Sequence, residues 1–232
     1  MRLPLIALSL LAGCGASQAQ VALSPATEFA AVGIVDVAAL VPSAVLDIRY
    51  AGTNNFVGAR VQGYEAPKCY LHEVAAAALR EAARELLADG LRLKIFDCYR
   101  PVRAVKHFVR WAEDTRDRKT QAAFYPSLDK SQLLGEYIAP VSGHSRAATI
   151  DLTLAMCDTA GCQELDMGTP FDFFDARAHT DFPDVTPAQR RNRDRLRAAM
   201  TRAGFENYAA EWWHYTFKPE PTPTLQYDIV VK

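Results

Sequence analysis

Hydrophobic residues recur along this chain with two different spacings, and each spacing predicts one type of element. Leu71 to Asp89 is rich in Ala, Leu, Glu and Arg and stops at Gly90, which predicts a helix with its terminating glycine. Leu91 to Phe96 alternates apolar and basic residues, as a strand does. This part of the chain therefore predicts a long helix followed directly by a strand.

The same patterns continue toward the C-terminus. Pro101 stands where a helix begins, and the residues from Val102 to Trp111 have helical spacing. Thr186-Pro187 is typical of a helix start, and that helix is predicted to run to Ala203, before Gly204. Two apolar, aromatic or β-branched runs favour strands, at 150–154 and 211–217.

Helices and strands are mixed here without a strict βαβ alternation, and no glycine-rich phosphate loop follows a strand. We therefore predict an α+β fold, a single compact domain with a small antiparallel sheet flanked by helices. The length of 232 residues, half of them hydrophobic, is enough for one sizeable core. A formal net charge of −1 argues against a nucleic-acid-binding protein.

Residues 1–20 have the pattern of an export signal and are not expected to belong to the fold. Arg2 is the only charged residue, and an apolar stretch too short to span a bilayer follows it. Leu11-Ala12-Gly13-Cys14 resembles a lipoprotein signal that would leave a lipid on Cys14, whereas Ser17-Gln18-Ala19 resembles an ordinary cleavage site. Both remain open, and both predict a periplasmic protein. Residues 21–46 are predicted to form a lead-in that packs on the surface, and 47–232 the domain itself.

Export makes the remaining cysteines interpretable, because an oxidising compartment favours disulfides. Cys157 and Cys162 bracket the turn sequence D-T-A-G, so they are expected to pair with each other. Cys69 and Cys98 are then left to form a second disulfide. Zinc ligation is the competing interpretation, but the C-x4-C spacing differs from the usual C-x2-C.

Two short motifs together contain the components of a catalytic zinc site. The first runs S-G-H-S-R-A-A-T-I-D and offers His144 and Asp151; the second runs E-W-W-H and offers Glu211 and His214. Two histidines and one aspartate would hold the metal and leave a coordination position open, while a further glutamate acts as general base. One zinc ion per chain is therefore predicted.

Each part of this site also has a simpler interpretation. His144 is expected in the loop 142–147, where histidines are often surface residues. Asp151 interrupts an apolar strand, and a buried carboxylate there needs either an arginine or a metal. Glu211 and His214 flank two tryptophans and would also suit an exposed rim with a hydrophobic anchor.

The other histidines and the serines compete poorly for catalytic roles. His72 lacks the second histidine of an H-E-x-x-H motif, because position 76 is Ala. His107 and His179 are expected to be structural or solvated. Ser142 and Ser145 lack the G-x-S-x-G context of many serine hydrolases.

Arg100 stands at a predicted strand-to-helix junction in D-C-Y-R-P. Functional groups are common at such junctions, and an arginine there would stabilise a developing oxyanion. An ion pair with a nearby acid is the alternative.

From about Asp47 to Lys232 the chain resembles the D-alanyl-D-alanine dipeptidases of the VanX type, zinc peptidases related to D-Ala-D-Ala carboxypeptidases. The matching strings are D-I-R-Y, N-N-F-V-G, G-Y-E, Y-R-P-x-R-A-V, G-H-S-R-A-A-T-I-D-L-T-L, M-G-T-P-F-D-F-F-D and E-W-W-H-Y. Several are long and rich in rare residues, so chance explains them poorly.

The resemblance implies specific roles. His144, Asp151 and His214 would bind zinc, with Glu211 as the base and Arg100 stabilising the transition state. Further residues are implied to contact the substrate: Asp172 and Tyr50 at its ammonium group, Tyr64 and Ser142 along the pocket. The expected substrate is a small D,D-dipeptide.

The chain departs from this family in three features. Many members have two serines before the zinc histidine, whereas this chain has Ser142-Gly143. The cysteines and the export signal suggest salvage of D-alanine from wall-derived dipeptide rather than depletion of a cytosolic pool. A wall-cutting carboxypeptidase or endopeptidase of the same chemistry, or a non-catalytic wall-binding protein, are the competing functions.

Overall fold

A mixed six-stranded sheet forms the centre of the computed structural model, which describes residues 21–232. The predicted export segment, with its two alternative processing sites, lies outside the described residues. In chain order the strands are β1 (Ala22–Leu23), β2 (Ile34–Asp36), β3 (Val45–Leu46), β4 (Tyr70–His72), β5 (Leu91–Asp97), β6 (Thr149–Asp158), β7 (Gly161–Glu164), β8 (Phe205–Asn207), β9 (His214–Phe217) and β10 (Leu225–Gln226).

Five α-helices accompany the strands within residues 21–232. They are α1 (Val37–Leu40), α2 (Glu73–Ala88), α3 (Val102–Glu113), α4 (Gln121–Phe124) and α5 (Pro187–Arg202). The two longest, α2 and α5, pack against each other, α2 against β5 and α5 against β8 and β6. The predicted α+β class is confirmed. In the part of the chain that the structure describes, no helix has the length and apolar character needed to cross a membrane.

The main sheet has the order β3-β5-β6-β9-β8, and β7 pairs with β6 as the second strand of a hairpin. Only β3 and β5 are parallel; the other pairs in this sheet are antiparallel. Strand β6 lies in the middle, and its residues 149–155 are all buried. A strand covered on both faces is largely apolar, which explains Ile150, Leu152 and Leu154 on one face, whereas Asp151 and Thr153 are buried polar residues on the other.

The long helix begins two residues later than the sequence predicts. Leu71 and His72 belong to β4, which pairs with β2 in a separate two-stranded sheet. The helix then buries small residues such as Ala75, Ala82 and Ala83 and ends before Gly90, which has φ +77°. A positive φ is unfavourable for residues with a Cβ, so glycine is required at this turn.

The segment 21–46 contributes to the core as well as covering the surface. Ile34, Val37 and Val41 are almost fully buried and belong to the main hydrophobic cluster. Both predicted disulfides are present. Cys69–Cys98 links the residue before β4 to the residue after β5, and Cys157–Cys162 crosslinks the β6–β7 hairpin.

Candidate active site

Two neighbouring strands and one short turn bring His144, Asp151 and His214 together. His144 lies in a 3-10 turn, Gly143–Arg146, whose capping residue Ser142 accepts a hydrogen bond from the His144 amide. Asp151 lies on β6 directly opposite His214, the first residue of β9. The prediction that His144 precedes the strand of Asp151 in a loop is confirmed.

The three side chains offer ligand atoms that all lie within 4.8 Å of one another. Asp151 Oδ2 lies 3.3 Å from His144 Nε2, and Asp151 Oδ1 lies 3.0 Å from His214 Nδ1. Two imidazole nitrogens and a carboxylate are suitable ligands for a divalent metal ion.

Asp151 supplies a test of whether a cation belongs here. Its Oδ1 atom is buried and has no hydrogen-bond donor of adequate geometry among the described residues. Burial opposes its ionisation, but the neighbouring His144 and His214 lower the pKa of Asp151 below its usual value, so it is a carboxylate. A buried anionic oxygen without a donor is costly, and a metal ion bound by all three side chains would remove that cost.

A backbone carbonyl fixes the orientation of the His144 ring. His144 Nδ1 lies 2.6 Å from the carbonyl oxygen of Cys98, close enough to donate a strong hydrogen bond. With the proton held on Nδ1, Nε2 keeps its lone pair and faces Asp151 and His214. This tautomer is the one that a metal ligand requires, and such outer contacts commonly fix it.

Arg100 makes an ion pair and also lines the cavity, so both of its predicted roles are compatible with its position. The guanidinium donates to Asp97 Oδ2 at 2.9 Å and lies 3.5 Å from Asp151 Oδ2. It also packs over the rings of Tyr50 and Phe108, about 5 Å from each centroid. These contacts on several sides restrict its rotamer and direct it toward the metal-ligand carboxylate.

Asp97 is a further buried acid of the site, and it was not predicted as a site residue. It is fully buried, pairs with Asp151 across β5 and β6, and contacts Arg100 and His144 as well. Burial raises the pKa of Asp97, against the opposing charges of Arg100 and His144. Its position at the end of an apolar strand, L-R-L-K-I-F-D, is a signal of the same kind as that of Asp151.

Tyr64 lies behind Asp97 and not in the cavity. Its hydroxyl donates to Asp97 Oδ1 at 2.5 Å, and it is absent from the residues that line the cavity. The expectation that Tyr64 lines the pocket therefore needs correction: it lies behind the cavity, where it contacts Asp97 and packs against the ring of Tyr50.

Asp172 and Tyr50 are joined at the far side of the same cavity. The Tyr50 hydroxyl donates to the Asp172 carboxylate, with distances of 3.0 and 3.2 Å to its two oxygens. Asp172 is buried and has φ +59°, a strained conformation for a residue with a side chain. Burial and the charge of Asp151 raise the pKa of Asp172 well above its usual range, against Arg100.

Glu211 lies in a turn just before β9, not in a strand as predicted. The Glu211 amide bonds to Tyr208 and the His214 amide to the Glu211 carbonyl, while Asn207 Nδ2 donates to the carbonyls of both Glu211 and His214. In a straight strand Glu211 and His214, three residues apart, would face opposite sides. The turn places Glu211 Oε2 3.5 Å from His214 Nδ1.

Glu211 has the environment of a general base. Burial is the largest influence and raises the pKa of Glu211 to about 7, with the charge of His214 opposing it and that of Asp151 adding to it. A carboxylate with a pKa near neutrality both accepts and returns a proton readily at pH 7.

These side chains surround one cavity of about 320 Å³. The predicted site residues that line it are Tyr50, Arg100, Ser142, His144, Asp151, Asp172, Glu211 and His214. Aromatic and aliphatic residues, among them Phe56, Phe108 and Phe174, complete the walls. The remaining histidines, His72, His107 and His179, do not line it. A small cavity with polar groups directed inward suits a small polar ligand.

Comparison with known proteins identifies the family of this chain. Residues 30–231 match the model of the peptidase M15 family, described as D-ala-D-ala dipeptidase. The chain belongs to this family. It is a peptidase of the metallopeptidase class, as the resemblance of its motifs predicts.

Characterised relatives cover most of the chain. It is 40% identical over 189 residues to a D-alanyl-D-alanine dipeptidase of Enterococcus faecium, covering 80% of this chain and 92% of the relative. A protein of the same name from Streptomyces coelicolor is 40% identical, covering 80% and 91%. The Escherichia coli relative, also so named, is 35% identical, covering 78% and 83%.

Proposed function

We propose that this protein is a zinc-dependent dipeptidase that hydrolyses free D-alanyl-D-alanine to two molecules of D-alanine. The names of its relatives support the substrate and its stereochemistry. One feature of the site, the buried pair of Asp172 and Tyr50, supports a preference for a free dipeptide over a longer chain.

Four carboxylates share this site with a single guanidinium. Asp97, Asp151, Asp172 and Glu211 are all largely buried, and Arg100 is the cation that contacts two of them. A divalent metal ion and one substrate ammonium group would together stabilise the ionised forms of these acids, whereas burial raises the pKa of Asp97 and Asp172 in their absence. Buried charges are tolerated only when they are paired in this way.

The metal ion is assigned to His144, Asp151 and His214, with zinc as the ion that the family implies. Bound there, zinc would supply Lewis acidity, polarising the scissile carbonyl and making water nucleophilic at neutral pH. Glu211 takes a proton from the attacking water and returns it to the nitrogen of the leaving D-alanine. Arg100 stabilises the negative charge that develops on the carbonyl oxygen.

Asp172 explains the preference for a dipeptide. The ammonium group of a free dipeptide is attached to the Cα that bears the scissile carbonyl, and it would pair with Asp172, which Tyr50 already holds through a hydrogen bond. A longer peptide presents a neutral amide at this place, and leaves the buried carboxylate without a counter-charge. A strained, buried acid is expensive to keep, which is typical of a functional group.

The test compares free D-Ala-D-Ala with N-acetyl-D-Ala-D-Ala and with L-Ala-L-Ala. We expect cleavage of the free D,D-dipeptide, inhibition by a chelator, recovery on adding zinc, and little cleavage of the other two.

Asp172→Asn should raise KM for the free dipeptide. It should also lower the ratio of kcat/KM for the free dipeptide to kcat/KM for the acetylated one. Asp175→Asn is the matched control, because Asp175 lies in the same loop but pairs with Arg177 at 2.8 Å.

Comparable kcat/KM for the free and acetylated substrates would refute the dipeptidase and favour a carboxypeptidase of the same chemistry. Zinc binding without hydrolysis of any D,D-peptide would favour a wall-binding protein. Against the latter stand Glu211 and Arg100, because metal binding alone requires neither a general base nor an oxyanion-stabilising cation.

Export to the periplasm, and a role in recovering D-alanine from wall-derived dipeptide, form part of the same proposal. The pattern of residues 1–20 supports it, as do two disulfides, which persist mainly in oxidising compartments. Cell fractionation and intact mass of the recovered protein would test it. A lipid on Cys14 would give a membrane-anchored form, and cleavage after Ala19 a free one; an uncleaved cytosolic protein would contradict export.

A further inference from the structure

Arg193, on α5, is the most deeply buried arginine of the described chain and lies outside the catalytic cavity. Its relative exposure is 0%, and its guanidinium donates to three backbone carbonyls. Nε bonds to Met167 at 2.7 Å, one terminal nitrogen to His179 at 2.6 Å and the other to Arg177 at 2.9 Å.

These three carbonyls lie at the two ends of one loop, residues 167–179, which we call the Asp172 loop. Met167 is its first residue, and Arg177 and His179 are near its end. Apart from the short 3-10 turn Ala176–Ala178, the loop has no regular secondary structure. One side chain therefore fastens both ends of the segment from which Asp172 lines the cavity.

The loop approaches Arg193 closely. A Cβ atom placed on Gly168 would lie 3.2 Å from a terminal nitrogen of Arg193 and 3.3 Å from the Gln189 side chain. Gly168 also has φ +89°, which only glycine adopts readily. Glycine at this position permits the contact between loop and guanidinium.

Arg193 forms no ion pair with any carboxylate in residues 21–232; its direct hydrogen-bond acceptors are the three carbonyls, and Asp166 and Asp181 act only at longer range. Burial lowers its pKa to about 10. An apolar residue at this position would leave the three carbonyls without their donor, so the guanidinium is needed to hold both ends of the loop. The guanidinium provides donors in a fixed planar fork, which a lysine cannot reproduce.

The turn that contains Glu211 touches the same loop but has additional support. The Trp212 amide donates to Ala178 at 3.0 Å, and the Trp212 indole to Thr169 at 2.8 Å. Asn207 holds this turn independently through the carbonyls of Glu211 and His214. Loosening the Asp172 loop should therefore displace Asp172 more than Glu211.

We propose that Arg193 is a positioning residue for substrate recognition: by fastening both ends of the Asp172 loop, it holds Asp172 where the ammonium group binds. This inference rests on the proposed function, because it assumes that Asp172 receives the ammonium. It predicts that Arg193 affects substrate affinity without touching the substrate.

The experiment measures kcat and KM separately for Arg193→Lys with D-Ala-D-Ala, together with zinc content. We expect kcat/KM to fall roughly 10- to 100-fold, the effect of misplacing a binding group by about 1 Å, and the fall to come mainly through KM. The ratio of kcat/KM for the free dipeptide to kcat/KM for the acetylated dipeptide should fall, and zinc content should not change. A purely structural role would reduce stability or the active fraction, and leave KM as it was.

Arg190→Lys is the matched control. Arg190 lies on the same helix and also donates to carbonyls, those of Thr180 and Phe182, but these follow the Asp172 loop. We expect its KM to stay within about twofold of the unmutated enzyme, below the size of one lost hydrogen bond.

Gly168→Ala is the second variant, and it replaces Arg193→Lys in the experiment if that variant does not fold. It keeps Arg193 but pushes the loop away, and it should raise KM in the same way. An unchanged KM, or a loss confined to kcat, in the variant that folds would overturn the inference. Absence of D-Ala-D-Ala hydrolysis in the unmutated enzyme would overturn the proposed function instead, so the two failures are distinguishable.

Discussion

Most charged side chains in the active site are held by a neighbour whose own contacts restrict it. Asp97 holds Arg100, Tyr64 holds Asp97, and Tyr50 holds Asp172. Side chains fixed in this way need little reorganisation when charge develops during the reaction. Single substitutions should therefore affect metal binding, proton transfer or substrate recognition one at a time.

Glu211→Gln should retain the metal and lose turnover. Glutamine keeps the size and polarity of the side chain but cannot accept a proton, so we expect kcat to fall by roughly 10²- to 10⁴-fold. Metal analysis and steady-state kinetics of the same preparation measure both effects. Loss of the metal in this variant would place Glu211 among the ligands; His214→Ala, which removes a ligand, is the comparison.

Asp172→Asn should stabilise the metal-free protein at neutral pH. Because burial raises the pKa of Asp172 in the folded state, that state retains a proton which the unfolded state releases above about pH 4. The stability linked to this proton is complete below pH 4 and is lost as the pH rises. Asparagine avoids the loss, so the variant should gain about 1–3 kcal/mol at pH 7 and almost nothing near pH 4.

Urea unfolding at both pH values measures this difference, and Asp175→Asn should give the opposite sign. Hydrogen bonds from Arg177 lower the pKa of Asp175 to about 2, so its contribution is present above pH 4 and is lost at lower pH. Equal stability of Asp172→Asn and the unmutated protein at pH 7 would show that the buried acid carries no cost.

The sequence predicted the grouping of the candidate metal ligands better than the residues behind them. His144, Asp151 and His214 belong to residue types that bind metals, and their motifs are distinctive. Asp97 was not predicted, because its contacts with Asp151 and His144 depend on how β5 pairs with β6. Tyr64 was misplaced because its contact, 33 residues along the chain, depends on how β5 lies against the loop before it.

At the scale of elements, the site depends on where strands end. The patterns predicted β5, α3 and α5 to within two residues at each end, because local periodicity determines them; they predicted the buried part of β6 but not its last four residues, which pair with β7. They did not predict the turn before β9, because Glu211, Trp212 and Trp213 have strand-forming composition around them; hydrogen bonds from Asn207 and Tyr208 produce the turn. Likewise, Leu71 and His72 were predicted as the start of α2 but belong to β4, because β2, which is distant in sequence, pairs with them.

The Cys69–Cys98 disulfide should support the metal site, whereas Cys157–Cys162 should not. Cys98 provides the carbonyl that orients His144, and its disulfide fixes the end of β5. Replacing Cys69 and Cys98 by alanine should cost about 3–4 kcal/mol of stability for a loop of this length. It should also weaken zinc binding, measured by competition with a chromogenic chelator.

Replacing Cys157 and Cys162 by alanine is the control for this experiment. The loop it opens spans only 5 residues, so the expected loss is about 2 kcal/mol, and the hairpin lies away from the ligands. An equal effect of both pairs on zinc affinity would contradict a specific role for Cys98.

For the whole molecule, stability should depend on the metal. Without a cation, the buried carboxylates repel one another, and binding to the folded state alone would add about 4 kcal/mol at a free concentration 1,000 times the Kd. Chelation should therefore lower the thermal midpoint, and zinc should restore it. The midpoint of His214→Ala should not respond to either treatment; a response equal to that of the unmutated protein would indicate a different binding site.

The overall class was predictable, but the arrangement of strands was not. Mixed helices and strands without βαβ alternation indicated α+β. The order β3-β5-β6-β9-β8, and the parallel pairing of β3 with β5, follow from contacts between distant parts of the chain that no local pattern encodes.

Asp97, Asp151 and His214 occupy one row across three adjacent strands, although they come from widely separated parts of the chain. His214 is the last of the three candidate ligands along the chain, and it contacts Asp151 only once β9 pairs with β6. Until β9 docks, Asp151 has His144 and Arg100 beside it but lacks one of the two histidines that would share its metal ion. Zinc capture and closure of the sheet should thus be a single late event, and amide hydrogen exchange in β6 should slow only when both have happened.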